Sequence, residues 1–139
     1  MKRVVLLGAV VLLAGCGGGG GSAGQGIVAG LVSHDVEPAS PQPEPPGVLE
    51  VKSTVYQVPD GVLHVFTFPD AQAAEAAAPR IEPDGYTIQN TMGINQAVDW
   101  AAPPHWYRKG KEIAVYIGTS SDVNDALTEV AGPQFAGAT

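Results

Sequence analysis

The sequence predicts a small single domain of the α+β class, with strands and helices in the order β-β-α-β-β-α. Three observations lead to this prediction: segments in which apolar and polar residues alternate, an alanine-rich segment between turn signals, and an amphipathic helix near the C-terminus. Short turns join most of the strands, so we expect a mostly antiparallel sheet with the two helices on one face. All of these patterns lie within residues 48–139, which we interpret as the folded domain.

The first sixteen residues have the pattern of a bacterial export signal. Lys2 and Arg3 precede the apolar run from Val4 to Leu13, which is about half the length that spans a bilayer. The run ends in Leu13-Ala14-Gly15-Cys16, which resembles the lipobox of bacterial lipoproteins. The resemblance implies that residues 1–15 are removed and that Cys16 then carries the lipid, including acyl chains such as palmitate. An ordinary signal peptide with a chance cysteine, or a short amphipathic anchor, is the alternative.

The cysteine and charge counts agree with a lipid-anchored protein of the cell envelope, outside the cytoplasm, with the membrane leaflet left open. Cys16 is the only cysteine, so lipidation leaves the folded domain without a disulfide. The formal net charge of −7 becomes −9 when Lys2 and Arg3 are removed with the signal peptide. Such an acidic domain does not favour nucleic acid as a partner. We also expect anionic headgroups to repel it, so that it stands off the bilayer.

Residues 16–47 are predicted to form a tether between the lipid and the domain. Residues 17–26 are mostly glycine, which favours flexible coil. Residues 37–46 are rich in proline, which favours an extended polyproline spacer. Between them, residues 27–36 contain several apolar side chains but predict no defined element.

The folded domain opens with a predicted hairpin followed by a helix. Apolar and polar residues alternate from Leu49 to Val55, and β-branched and aromatic residues dominate from Val62 to Phe68. The turn Pro59-Asp60-Gly61 separates these two strands. Asp70 is the predicted N-cap of a helix over residues 71–78, which alanine favours and Pro79 ends.

The second half of the domain is predicted to contain two more strands. A short strand is expected at Tyr86-Thr87-Ile88, and residues 89–98 are expected to be a loop close to the core. The segment Arg108-Lys109-Gly110-Lys111 has the pattern of a hairpin turn. It leads into Glu112 to Gly118, whose near-continuous apolar run predicts a central strand that is buried on more than one side.

The last element is a predicted amphipathic helix. Ser121 or Asp122 is its expected N-cap, and Gly132-Pro133 is its expected end. Phe135 is then expected to fold back onto the core. The apolar residues that recur at helical spacing are Val123, Ala126, Leu127, Val130 and Ala131.

Three motifs in residues 100–137 carry a further resemblance. They are Trp100-x-x-x-Pro104-His105-Trp106-Tyr107-x-Lys109-Gly110, Ile113-x-Val115-Tyr116-Ile117-Gly118 and Gly132-Pro133-Gln134-Phe135-Ala136-Gly137. This part of the chain resembles small bacterial lipoproteins and secreted proteins that share an anchor, a low-complexity tether and one α+β domain. The resemblance implies an architecture and a location, and it carries no activity.

The sequence gives weak grounds for catalysis. It contains no G-x-S-x-G or H-E-x-x-H motif, and its histidines are too few and too scattered to predict a metal site or a cofactor. His64 is expected to share a strand face with Phe66 and Phe68, where a half-buried structural role is the simpler interpretation. A small hydrolase-like enzyme that uses His105, oriented by Asp99, is the alternative to a binding protein, and a purely structural or inhibitory protein is a third class.

The densest aromatic and basic cluster lies before and within the predicted hairpin turn. It is either core aromatics beside a solvated turn or a recognition surface for a sugar, a peptidoglycan fragment or an acidic protein loop. Alternation places Trp106 and Tyr107 on opposite faces, so we expect at least one of them to be exposed or half covered. The members of the cluster are Trp100, Trp106, Tyr107, Arg108, Lys109 and Lys111.

The carboxylates of the last helix complete the set of candidate sites. Asp122, Asp125 and Glu129 lack the spacing of a calcium-binding loop, and we interpret them as a solvated helix face. The function predicted from the sequence is therefore an envelope lipoprotein that acts as a non-enzymatic binding or accessory module. Its expected partners are the membrane, through the lipid on Cys16, and an envelope protein or glycan.

Overall fold

The structure, a computed structural model, describes residues 26–138. These residues form three α-helices and eight strands, which confirms the α+β class. The helices are α1 (Ile27–Ser33), α2 (Ala71–Ala77, continued by a 3-10 turn over Ala78–Arg80) and α3 (Ser121–Ala131). The strands are β1 (Ala39–Glu44), β2 (Ser53–Val58), β3 (Gly61–Thr67), β4 (Thr87–Gln89), β5 (Asn95–Ala97), β6 (Pro104–Lys109), β7 (Glu112–Gly118) and β8 (Ala136–Gly137). Within residues 26–138, no helix combines the length and the hydropathy needed to span a membrane.

Six strands form one antiparallel sheet in the order β1-β2-β3-β7-β6-β8, and β4 and β5 form a separate hairpin. β7 pairs with β3 on one side and with β6 on the other, which confirms it as a central strand. A hairpin turn joins β6 to β7 as predicted, but it is shorter than expected: Arg108 and Lys109 belong to β6, and Lys109 lies opposite Glu112. β4 and β5 occupy part of the segment predicted to be a loop, where their pairing satisfies the backbone between Thr87 and Ala97.

The described part of the predicted tether contains a helix and a strand. α1 packs on the domain with Ile27 and Leu31 completely buried, and β1 pairs antiparallel with β2 as an edge strand. Proline is compatible with an edge strand because one row of backbone groups there needs no partner. The expectation of a tether through residue 47 is therefore corrected for residues 26–44. Cys16 and the signal peptide lie outside the described residues.

The expectation that both predicted helices share one face of the sheet is also corrected. α3 and α1 cover the face that contains Tyr107 and Tyr116, which we name the helical face. α2, the β4–β5 hairpin and the loop of residues 45–52 cover the opposite face, which contains Trp106 and Ile113 and which we name the mixed face. Because β7 presents apolar side chains on both of its sides, each face of the sheet needs its own cover.

The ends of the elements follow the predictions with small shifts. The Asp70 carboxylate accepts a hydrogen bond from the Ala73 N–H at 2.8 Å, which confirms the N-cap of α2. The N-cap of α3 is Ser120, one residue earlier than predicted, and Gly132 ends that helix with a φ of 86°. Phe135 remains 37% exposed and does not fold back onto the core as expected. β2 begins at Ser53, because the residues before it form a turn that buries Leu49.

Candidate functional site

The two aromatic residues predicted to offer a contact surface are both in the core. Trp106 is 0% exposed on the mixed face, and Tyr107 is 1% exposed on the helical face. The expectation that at least one of them is exposed is wrong, because the sheet is covered on both faces. Burial raises the pKa of the Tyr107 hydroxyl, which donates a hydrogen bond to the Asn124 side-chain oxygen at 2.9 Å. Neither ring is available to a partner.

Gly85 connects Trp106 to Trp100, the third aromatic residue of the predicted cluster. The Gly85 carbonyl accepts hydrogen bonds from the indole N–H of Trp100 at 3.0 Å and from that of Trp106 at 3.1 Å. Gly85 has a φ of +80°, and a Cβ atom there would lie 3.1 Å from the Trp106 ring. Glycine is therefore needed both for the backbone conformation and for the close approach. The shared carbonyl holds Trp100 in a fixed position relative to the core.

Trp100 is only half buried, and it lines a pocket of about 190 Å³ on the mixed face. The pocket lies where the end of β1, the following loop and the start of β2 meet β3. We name it the His64 pocket. Its lining residues are Glu44, Pro45, Gly47, Val48, Ser53, His64, Phe66, Val98 and Trp100.

His64 lies between two aromatic rings in this pocket. Its ring centroid is 6.3 Å from that of Phe66, in a stacked arrangement, and 5.7 Å from that of Trp100, in an edge arrangement. Burial lowers the pKa of His64 below its usual 6.5 and outweighs the nearby Glu44 carboxylate, which acts in the opposite direction. The imidazole is thus mostly neutral at pH 7 and can both donate and accept a hydrogen bond.

Ser53, His64 and Glu44 bring a hydroxyl, an imidazole and a carboxylate to one pocket. A serine nucleophile needs a base within about 2.6–3.2 Å, and the base needs a third group to orient it. Within residues 26–138, no hydrogen bond or ion pair joins any two of these three side chains. Their arrangement provides hydrogen-bonding groups around a small cavity without an activated nucleophile.

His105 and Asp99, the candidate catalytic pair, are not brought together. The Nδ1 atom of His105 is 3.0 Å from the Oε1 atom of Gln134, and its ring stacks on Tyr116 with centroids 5.9 Å apart. Asp99 is exposed and, within the described part of the chain, forms neither a hydrogen bond nor an ion pair with His105. The contacts of His105 tie the end of the chain to β6, since Gln134 also donates to the Ala138 carbonyl at 2.7 Å.

The basic residues of the predicted cluster lie apart from the His64 pocket. Arg108 is partly buried on the mixed face and lies 4.0 Å from the Glu75 carboxylate. Lys109 and Lys111 flank Gly110 at the exposed turn between β6 and β7. Glu112, which follows this turn, accepts a hydrogen bond from the Ile27 N–H at 2.7 Å. The start of α1 is therefore fixed beside the basic turn.

The three carboxylates of α3 line a shallow groove together with His34 and Asp35, which follow α1. Among residues 26–138, no group of three or more acidic, histidine or cysteine side chains is arranged to hold a metal ion. Comparisons of the chain with family models, with curated proteins and with solved structures find no match. The chemistry of the candidate sites is therefore argued from their own geometry.

Proposed function

We propose that this protein is a lipid-anchored module of a bacterial cell envelope that binds a partner outside the cytoplasm and does not catalyse a reaction. The observation that carries the proposal is the segment Leu13-Ala14-Gly15-Cys16 behind a basic and apolar start, in a chain with no other cysteine. The position of α1 supports it, because this helix begins at Ile27, eleven residues after Cys16. A lipid on Cys16 would thus hold a folded domain close to a membrane.

The His64 pocket is the proposed binding site, and one sugar ring of an envelope glycan is its proposed ligand. The half-buried Trp100 offers an aromatic surface for the apolar C–H face of a sugar. Glu44, Ser53 and the neutral His64 offer acceptors and donors for its hydroxyl groups. A cavity of about 190 Å³ accommodates one ring rather than a longer chain. Binding is favoured over hydrolysis because no base is hydrogen-bonded to the serine among the described residues.

Substitution of Cys16 tests the anchor. Cys16→Ser should leave the precursor unprocessed and move the protein from the detergent phase to the aqueous phase in a detergent-partitioning assay, because no thiol remains to accept the lipid. Ser22→Ala is the matched control and should partition like the unchanged protein. Equal partitioning of Cys16→Ser and the unchanged protein would contradict the anchor.

Titration with N-acetylglucosamine tests the pocket, with the Trp100 indole N–H signal followed by NMR. A ligand of this size, at about 0.3 kcal/mol per non-hydrogen atom, should bind with a Kd on the order of 1 mM. Glu44→Gln should weaken binding about tenfold by removing the carboxylate acceptor. Glu37→Gln, which removes another exposed carboxylate, should have no effect. Unchanged binding by Glu44→Gln, or no shift of the Trp100 signal, would contradict the proposed site and leave the anchor unaffected.

A further inference from the structure

We propose that one end of the sheet docks on the anionic headgroups of the bilayer and so fixes the orientation of the domain. We name this the basal end; it comprises the start of α1, Lys52, Lys109, Lys111 and the C-terminal end of β3. The inference rests on the proposed lipid at Cys16. It goes beyond that proposal because an anchor alone leaves the domain free to rotate.

Backbone contacts place these residues at the same end of the sheet. Thr67, the last residue of β3, lies opposite Glu112, the first residue of β7. The Thr67 N–H donates to the Lys52 carbonyl at 3.3 Å, and the Phe68 N–H donates to the Lys111 carbonyl at 2.9 Å. Since Glu112 also accepts from the Ile27 N–H, the chain enters the fold at this end.

The chain between the lipid and the fold enters at the basal end and limits how far this end can lie from the membrane. Gly26 follows Cys16 by ten residues, which span roughly 36 Å at most, whatever their conformation. The two ends of the sheet are separated by the length of β7, whose seven residues span about 24 Å. Because this reach exceeds the length of the sheet, the linker alone lets either end come within a Debye length of about 8–10 Å of the headgroups, and the charges of the two ends decide which one does.

The two ends of the sheet carry different charged residues. Lys52, Lys109 and Lys111 are at the basal end, and the two arginines are near Glu50 and Glu75 on the mixed face. The carboxylates of the basal end are Glu44, Asp70 and Glu112, and their three negative charges balance those of the three lysines. The opposite end carries carboxylates and none of the five lysines and arginines in residues 16–139. Those carboxylates are Asp35, Glu37, Asp60, Asp122 and Asp125.

This distribution changes what the net charge of −9 implies for the membrane. An anionic surface repels the opposite end, which has five carboxylates and no lysine or arginine, more strongly than the basal end, where three lysines and three carboxylates balance, so the basal-end-down orientation has the lowest electrostatic energy. The expectation that the domain stands off the bilayer counts only its net charge, and the proposed docking departs from it by considering how the five basic residues are distributed.

Two exposed threonines allow the orientation to be measured. Thr67 is at the basal end and Thr119 directly follows β7 at the opposite end, about 24 Å away along the strand direction. The lipidated full chain carrying Thr67→Cys or Thr119→Cys is labelled with a fluorophore and reconstituted into phosphatidylcholine vesicles, with or without one quarter phosphatidylglycerol. A quencher attached to the lipid headgroups reports the distance. We expect quenching at position 67 to exceed that at position 119 by about threefold or more, only in the anionic vesicles.

Removal of the three lysines separates docking from tether length. The combined Lys52→Gln, Lys109→Gln and Lys111→Gln variant should equalise the quenching at positions 67 and 119 while the protein still floats with the vesicles. Equal quenching before these substitutions, or an unchanged difference after them, would overturn docking through the lysines. Loss of flotation by the chain with unaltered lysines would instead contradict the lipid anchor, so the two failures are distinguishable. Circular dichroism of the triple variant verifies that its fold is retained, as exposed charges contribute little to stability.

Discussion

The two faces of the sheet bury equally large side chains under very different covers. The helical face is closed mainly by α3, one amphipathic helix, with α1 packed beside it. The mixed face is closed by the short helix α2, the β4–β5 hairpin and the loop that contains Leu49. Tyr116 and Trp106 are nevertheless each 0% exposed. A sheet whose central strand is apolar on both sides can thus be completed by irregular segments as fully as by a regular helix.

Removal of the N-terminal part of the helical face should have the largest effect. A chain that begins at Gly47 lacks α1 and β1, and we expect it to lose cooperative unfolding because Ile27 and Leu31 leave the core and β2 becomes an edge. A chain that begins at Gly26 is the control and should unfold cooperatively, without any effect of reductant. Thermal unfolding followed by circular dichroism measures both. Equal melting temperatures would show that α1 and β1 add nothing to the core.

Deletion of one large side chain on each face tests whether the two faces form one cooperative unit. Trp106→Ala on the mixed face should lower the free energy of unfolding by about 3–5 kcal/mol, and Leu127→Ala on the helical face by about 2–5 kcal/mol. Both side chains are 0% exposed. Urea unfolding should give one transition with an unchanged slope in each variant. A second transition in either variant would mean that its face unfolds separately.

Gly30→Ala tests how closely α1 packs against α3 on the helical face. A Cβ atom at Gly30 would lie 2.5 Å from a methyl carbon of Val130, so the two helices would have to separate. We expect a loss of about 1–2 kcal/mol, since overpacking outweighs the better helix propensity of alanine. The double variant Gly30→Ala with Val130→Ala should lose less free energy of unfolding than the sum of the two single losses, by at least about 0.5 kcal/mol. Strict additivity in urea unfolding would place the strain elsewhere.

The smallest expected effect belongs to His64 on the mixed face. Its pKa is lowered in the folded state, chiefly by burial, so below pH 6.5 the unfolded chain binds more protons than the folded one. The neutral His64 side chain therefore makes its full contribution to the free energy of unfolding above pH 6.5. This contribution is lost as the pH falls toward the lowered pKa. His64→Gln should reduce the fall in melting temperature between pH 7 and pH 5. An identical pH dependence in the variant would contradict the lowered pKa.

The sequence predicted the elements whose patterns are local and missed those that depend on distant contacts. α3, β3 and β7 are evident from their apolar periodicity. α1 has only seven residues, two of them glycine or serine, and its helical form depends on packing against α3 and on the Glu112 contact. β1 was hidden because its prolines favour an extended linker as strongly as an edge strand.

The candidate site was predictable only in part for the same reason. Trp100 and His64 were recognised as an aromatic residue near a turn and a histidine on a strand. Glu44 was not connected to them because it lies in the segment assigned to the tether, and its place beside Ser53 follows from the pairing of β1 with β2. Trp106 and Tyr107 were misjudged because alternation gives the face of a side chain and not whether that face is covered.

The prolines of β1 have a consequence for how neighbouring copies of the chain meet. Under the proposed lipid anchor, copies held on one surface would meet at a high local concentration, at which a free sheet edge can pair with another and start aggregation. Pro41 and Pro43 have no N–H to donate from the outer side of β1, and the other edge strand, β8, has only two residues. Neither edge of the sheet therefore favours pairing with a strand of another copy, so copies can lie close together without forming a continuous sheet.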